Sequence, residues 1–228
     1  MNLLLIRHAQ SKNNPLEQTL DYLKGRLADP PLTELGHEQA QRLATWASHD
    51  PLFGQVTYLY SSLTTRAVQT AAPLAKALGL KVHGLRDAYE CGGLNTGPAG
   101  QFAPVAGRDH ASLLLDCPAL LWPEELLDQG WDGGYEPWDR TRFAQRASVV
   151  NSRLRGVYGE GDVIALITHH DFAQFLMADL LGLPALDGEG LRFRLNNTAT
   201  ASIELRAEER VLRWLNRAPH LTLDLLTH

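Results

Sequence analysis

With 228 residues, 44% of them hydrophobic and 21% charged, the chain can bury a full core, and disorder is excluded as its general state. A formal net charge of -5 offers no concentrated basic face for a nucleic-acid partner, so an anionic ligand has to be captured by a few local arginines. Cys91 and Cys117 form neither a CxxC pair nor a zinc-spaced cluster, which disfavours a disulfide framework and a structural metal and fits a reducing, cytoplasmic setting.

The apolar run Leu3-Leu4-Leu5-Ile6 predicts a strand buried on both faces, as a parallel sheet requires. It is too short, and too quickly interrupted by charge, for a signal segment or a membrane span. This strand delivers Arg7 and His8 to its C-terminal end, the edge where open α/β sheets bind ligands, and Ser11, Lys12, Asn13 and Asn14 follow as donors for an anion. Residues 15–31 read as a loop with one short helical turn, closed by Asp29-Pro30-Pro31. Thr33 then caps a helix whose apolar face is Ala40, Leu43, Ala44 and Ala47. A second strand at 56–60 ends at Ser61-Ser62. The helix after it carries Ala67, Thr70, Ala71, Leu74, Ala75 and Leu78 at helical spacing, stops at Gly79, and leads to a short strand at 81–83. Strand, helix and strand together predict a parallel crossover.

From 90 to 137 the pattern dissolves into Gly, Pro and Trp, with short helices expected only at 111–115 and 124–127. Such an insertion beside a rigid scaffold is a cap or lid, and Trp122, Trp131 and Trp138 give it either a small core of its own or a surface for a ring-bearing ligand. Periodicity resumes as a helix at 140–158, then a second strongly buried strand at 163–167 that ends at Thr168-His169-His170-Asp171. Phe172, Phe175, Leu176 and Leu180 mark the next helix, which stops near Gly182-Leu183-Pro184. Strands are expected at 191–195, 198–205 and 211–215, with the turn between the last two at 207–210.

His8 and His169 therefore stand at the ends of two buried strands, and both imidazoles open onto one sheet edge if those strands are parallel. A neutral imidazole nitrogen can attack phosphorus near pH 7 when the other ring nitrogen gives its proton to a fixed acceptor. Phosphoryl transfer also needs positive charge around the equatorial oxygens, which arginine supplies bidentately. Arg7 adjoins His8, and Arg66 opens the helix after the second strand, where a helix N-terminus adds to the field. His8 is accordingly read as a nucleophile for phosphoryl groups.

Arg7-His8-Ala9-Gln10-Ser11 with Asn14, Leu32-Thr33-Glu34-Leu35-Gly36 with Gln39-Ala40, Ser61-Ser62 with Arg66-Ala67 and Thr70-Ala71, and Thr168-His169 resemble, in order and spacing, the four blocks of the histidine phosphatase superfamily, also called phosphoglycerate-mutase-like. The resemblance implies a three-layer α/β/α sandwich with a mostly parallel central sheet, one domain over 1–228, and the cap at about 94–138 inserted in it. It implies a phosphohistidine intermediate on His8, a phosphate pocket of Arg7, Arg66 and His169 with Asn14 as a lesser contact, and neither metal nor cofactor. Ala9 departs from the usual glycine, Gln10 from a common glutamate, and His170 from a common glycine, which brings a third imidazole either to the pocket rim or to solvent.

In this family a carboxyl group after the third strand protonates the leaving oxygen. Glu90, before the Gly92-Gly93 pair, is preferred here, with Asp87 as the alternative. The expected activity is that of a metal-independent phosphomonoester hydrolase acting on a small phosphorylated substrate, with no nucleic-acid or membrane partner. A phosphoglycerate mutase is the runner-up, although Cys91-Gly92-Gly93-Leu94 stands where the cofactor-dependent mutases resemble one another in Arg-His-Tyr-Gly. An idle phospho-ligand binding module is the third reading.

Overall fold

A computed structural model describes residues 1–17, 19–20, 22–127, 130–183 and 191–228. In chain order its elements are β1 (Asn2–Arg7), α1 (Tyr22–Gly25), α2 (Glu34–Ala47), β2 (Val56–Ser62), α3 (Thr65–Leu78), β3 (Val82–Leu85), β4 (Asn95–Thr96), β5 (Ala103–Pro104), α4 (His110–Asp116), β6 (Leu120–Leu121), α5 (Arg140–Val157), β7 (Val163–Thr168), α6 (His170–Leu181), β8 (Thr200–Leu205) and β9 (Arg210–Arg217). Seven strands form one sheet in the order β6-β3-β2-β7-β1-β8-β9. The first five are mutually parallel, β8 runs antiparallel to β1, and β9 antiparallel to β8.

The apolar run in β1 explains the layering. Successive side chains of a strand point to opposite faces, and here both faces are covered. Leu4 and Ile6 pack with Leu43 of α2 and Leu74 of α3, whereas Leu3 and Leu5 pack with Phe143 of α5 and with Phe172 and Leu176 of α6. None of these four β1 side chains is exposed to solvent. The result is the α/β/α sandwich expected from the sequence.

Local signals set the helix ends. The Thr33 hydroxyl accepts the Gly36 N–H at 2.9 Å to start α2, and the Asp139 carboxylate accepts the N–H groups of Thr141 and Arg142 to start α5. Gly79 and Gly182 close α3 and α6 in the left-handed conformation, at φ of 66° and 69°. Pro184, expected near the end of α6, lies outside the described residues.

Four expectations need correction. Residues 191–195 form no strand, because their backbone groups bond side chains instead: the Gln174 amide exchanges hydrogen bonds with Phe193 N–H and carbonyl, and the Leu195 carbonyl accepts from Arg7. Residues 124–127 make a turn and not a helix, held by Leu126 N–H to the Pro123 carbonyl. Arg210 belongs to β9, and the turn before it closes with Arg206 N–H on the Glu209 carbonyl. The insertion also contributes three short strands unforeseen in the sequence, of which β6 extends the main sheet beside β3.

Gly36 lets α2 begin beneath the loop that follows His8. A Cβ at this position would stand 2.0 Å from the Gln10 carbonyl oxygen, so either the helix start or the loop would have to move. Gly36→Ala is expected to cost about 1–3 kcal/mol, the usual scale of overpacking, read as a lowered midpoint in urea. Unchanged stability would mean that the contact relaxes freely.

Candidate active site

The parallel pairing of β1 and β7 puts Arg7 level with Thr168, so the residues that follow them, His8 and His169, leave the sheet at the same carboxyl edge. Their ring centroids are 5.1 Å apart. β2, on the far side of β7, ends at Ser62 on that edge and turns directly into α3. Asp29 fixes the turn by accepting Thr65 N–H at 3.0 Å and the Thr65 hydroxyl at 2.6 Å. Arg66 is therefore held in the first turn of α3, facing both imidazoles.

The hydrogen bonds assign the tautomers. His8 Nδ1 is 2.7 Å from the Ala9 carbonyl, which can only accept, so Nδ1 carries the proton and Nε2 has a free lone pair. That lone pair receives the Arg66 Nε–H at 3.1 Å. The other end of the guanidinium donates to His169 Nδ1 at 2.9 Å, so His169 holds its proton on Nε2 and donates it to Ser62 Oγ at 3.0 Å. Burial, and then the charge of Arg66, push both imidazoles well below the ordinary histidine range. Both rings are neutral at pH 7.

A cleft of about 680 Å³ opens over this cluster, lined among others by Arg7, His8, Asn14, Arg66, Glu90 and His170. Arg7 is buried, with one guanidinium nitrogen donating to the Leu195 carbonyl at 2.7 Å and its Nε without a partner among the described residues. Asn14 lies further out, its oxygen accepting from Ser11 and its amide donating to Glu17 at 2.9 Å. His169 lies behind Arg66, wholly buried, and not on the cleft wall.

The two candidate carboxyl groups are separated by the fold. Asp87 faces away from the cleft and pairs with Arg86 at 3.5 Å. Glu90 is on the cleft wall, where its carboxylate accepts the N–H groups of Cys91 and Phe172 at 2.8 Å and of Asp171 at 3.1 Å. Burial, with the nearby Asp171 charge, pushes the Glu90 carboxyl up against the opposing effect of those donors. A carboxyl group that keeps its proton longer is suited to a general acid.

Of the three departures from the family pattern, Ala9 fits without strain, since its φ is not positive and it packs with Leu32 and Ala40. The Gln10 side chain turns to the Thr33 hydroxyl at 2.7 Å and does not line the cleft. His170 reaches the rim, paired with Asp171 at 3.0 Å. Trp131 packs with Leu94 of the insertion and with Leu63 and Tyr89 outside it, so that core is shared with the scaffold, whereas Trp138, 64% exposed, stands at the cleft.

Sequence reasoning missed Asn197 and Thr198. Asn197 is fully buried and donates its amide to the His8 carbonyl at 3.0 Å. Thr198 adopts φ of 57°, a strained region for a β-branched residue, and its N–H bonds the Arg7 carbonyl at 3.1 Å. No periodicity marks either residue, because both serve a backbone almost two hundred positions away.

Residues 3–98 match the family model of the histidine phosphatase superfamily (branch 1). Solved structures share the fold of this chain over nearly their whole length. A mutant of the phosphoserine phosphatase from Entamoeba histolytica in complex with phosphoserine aligns with a TM-score of 0.62 at 21% identity, covering 97% of this chain and 99% of the other. A mycobacterial glucosyl-3-phosphoglycerate phosphatase gives 0.62 at 22% identity, over 94% and 98%. The alpha-ribazole phosphatase from Shigella flexneri gives 0.61 at 23%, over 96% and 97%. No curated protein matches the chain. Among the described residues, no group of three or more His, Cys, Asp or Glu is arranged to hold a metal ion, and no helix is long and apolar enough to cross a membrane.

The depressed imidazoles make stability depend on pH. A histidine that is neutral when folded takes up a proton only on unfolding, so its contribution is present above the ordinary value of 6.5 and is lost as pH falls below it. Between pH 6.5 and 5, each histidine should add up to about 1.4 kcal/mol per pH unit to the slope. Urea melts of His8→Asn and of His169→Asn over this range should each show a slope shallower than the wild type. Parallel curves would mean that the ring titrates equally in both states.

Proposed function

We propose that the chain is a single-domain phosphomonoester hydrolase that works through a phosphohistidine on His8 and acts on a small phosphorylated substrate. The observation that carries this reading is the locked tautomer: with Nδ1–H committed to the Ala9 carbonyl, Nε2 is a neutral, unprotonated nucleophile beside Arg66. In the first step Nε2 bonds to phosphorus while the ester oxygen departs with the proton of Glu90. Arg66 and Arg7 offset the charge on the equatorial oxygens. His169 orients Arg66 from behind, and Asn14 closes the outer side of the phosphate site.

In the second step a water molecule gives a proton to the Glu90 carboxylate and its oxygen to phosphorus. The phosphorus–nitrogen bond breaks, phosphate leaves, and His8 returns to its starting form. Hydrolysis is favoured over mutase chemistry by the stretch after Glu90. A Cβ at Gly93 would stand 2.2 Å from the Gly134 carbonyl oxygen, so the insertion's backbone occupies the space a larger side chain would need.

Incubation with p-nitrophenyl phosphate should release phosphate, and 3-phosphoglycerate should not be isomerised. Isomerisation without net phosphate release would overturn hydrolysis in favour of a mutase. Absence of both turnover and an acid-labile phosphoprotein would leave a binding module. His8→Ala should abolish the phosphoprotein and lower kcat by about 10⁴-fold or more, the scale on which loss of a covalent nucleophile is felt. Glu90→Gln should cost about 10²–10⁴-fold with an alkyl phosphate and far less with p-nitrophenyl phosphate, whose leaving group needs little protonation. Equal losses on the two esters would remove Glu90 from the donor role.

A further inference from the structure

Arg146 in α5 has no part in the mechanism above, yet it makes three hydrogen bonds and two ring contacts beside the Glu90 loop. Its side chain is 9% exposed. One guanidinium nitrogen donates to two carbonyls of the loop that carries the acid, Asp87 at 2.9 Å and Tyr89 at 2.7 Å. The other donates at 2.5 Å to Glu136, which comes from the inserted segment. The guanidinium plane is layered between two rings, with its carbon 3.8 Å from the centroids of Tyr89 and Phe172.

These two rings belong to the two walls of the Glu90 cradle. Tyr89 precedes Glu90 in the loop, and Phe172 supplies one of the N–H groups that hold the Glu90 carboxylate. The carbonyl between the two that Arg146 grips, that of Ala88, accepts the Thr168 hydroxyl at 3.0 Å at the end of β7. The loop is thus fastened through three consecutive carbonyls, and Arg146 makes two of those attachments while spacing the loop from α6.

We propose that Arg146 is the positioning residue of the proton donor: it sets the distance between the Glu90 loop and the start of α6, and Glu136 of the insertion holds it there. Three hydrogen bonds from two nitrogens held in one plane and two stacking faces are needed at once, which lysine, a point charge on a flexible stem, does not provide. This role rests on the assignment of Glu90 as the donor.

The test measures kcat for an alkyl phosphate and for p-nitrophenyl phosphate in Arg146→Lys, Glu136→Gln and Glu90→Gln, with a thermal melt of each. Arg146→Lys should lose at least tenfold more on the alkyl ester than on the aryl ester, repeating the selectivity of Glu90→Gln, and Glu136→Gln should show a smaller loss of the same kind. A merely structural role would lower both rates together. If Glu90→Gln is selective and Arg146→Lys is not, the positioning role is overturned and the donor assignment stands. If Glu90→Gln is itself unselective, the donor assignment falls and the positioning role falls with it. Should Arg146→Lys fail to fold, Glu136→Gln decides: a selective loss supports the role, and wild-type selectivity overturns it.

Discussion

The Arg66 guanidinium is buried, and its charge governs the groups around it. Removing such a cation from water costs several kcal/mol even after relaxation, and among the described residues the site offsets this without a direct ion pair. Asp29, Glu90 and Glu17 act on it through space, while its own donors meet two imidazole nitrogens. An imidazole facing that charge is disfavoured as a cation, so Arg66 adds to burial, the larger cause, in keeping His8 unprotonated. One buried guanidinium therefore both offers charge to an anion and helps keep the neighbouring imidazole neutral.

The sheet supplies the rigidity this arrangement requires. Arg7, His8, Ser62 and His169 come from the ends of three adjacent parallel strands, where spacing is set by the hydrogen-bond ladder and not by loop conformation. Glu90 comes from a loop, which is less restrained by nature, and the structure answers with the Thr168 hydroxyl at the end of β7, the Arg146 guanidinium of α5 and the Phe172 N–H of α6. His8, the proposed nucleophile, is placed by the strand ladder, and Glu90, the proposed acid, by individual hydrogen bonds to its loop and carboxylate.

That difference also explains what the sequence made legible. The β1 and β7 strands, and the helices beginning near Thr33 and Thr65, follow from local pattern and capping, and they alone bring His8, Arg7, Arg66 and His169 together. The choice of Glu90 over Asp87 rested on two glycines, and the fold separates the pair because only Glu90 meets the start of α6. The segment 191–195 was apolar enough to suggest a strand, but its partners are the side chains of Gln174 and Arg7, which no periodicity reveals. Asn197 and Thr198 stayed hidden for the same reason: their work is done on a distant backbone.

The central place of β1 carries a consequence for how the molecule comes into being. Its partners are residues 163–168 and 200–204, roughly 160 to 200 positions later in the chain. Closing loops of that size is entropically slow, and it cannot begin until those partners have been synthesised. β1 thus stays unpaired until those partners follow, with a run of four apolar residues exposed. The order of synthesis keeps His8 apart from His169 until nearly the whole fold exists, so the nascent chain passes through its aggregation-prone period without a formed catalytic centre.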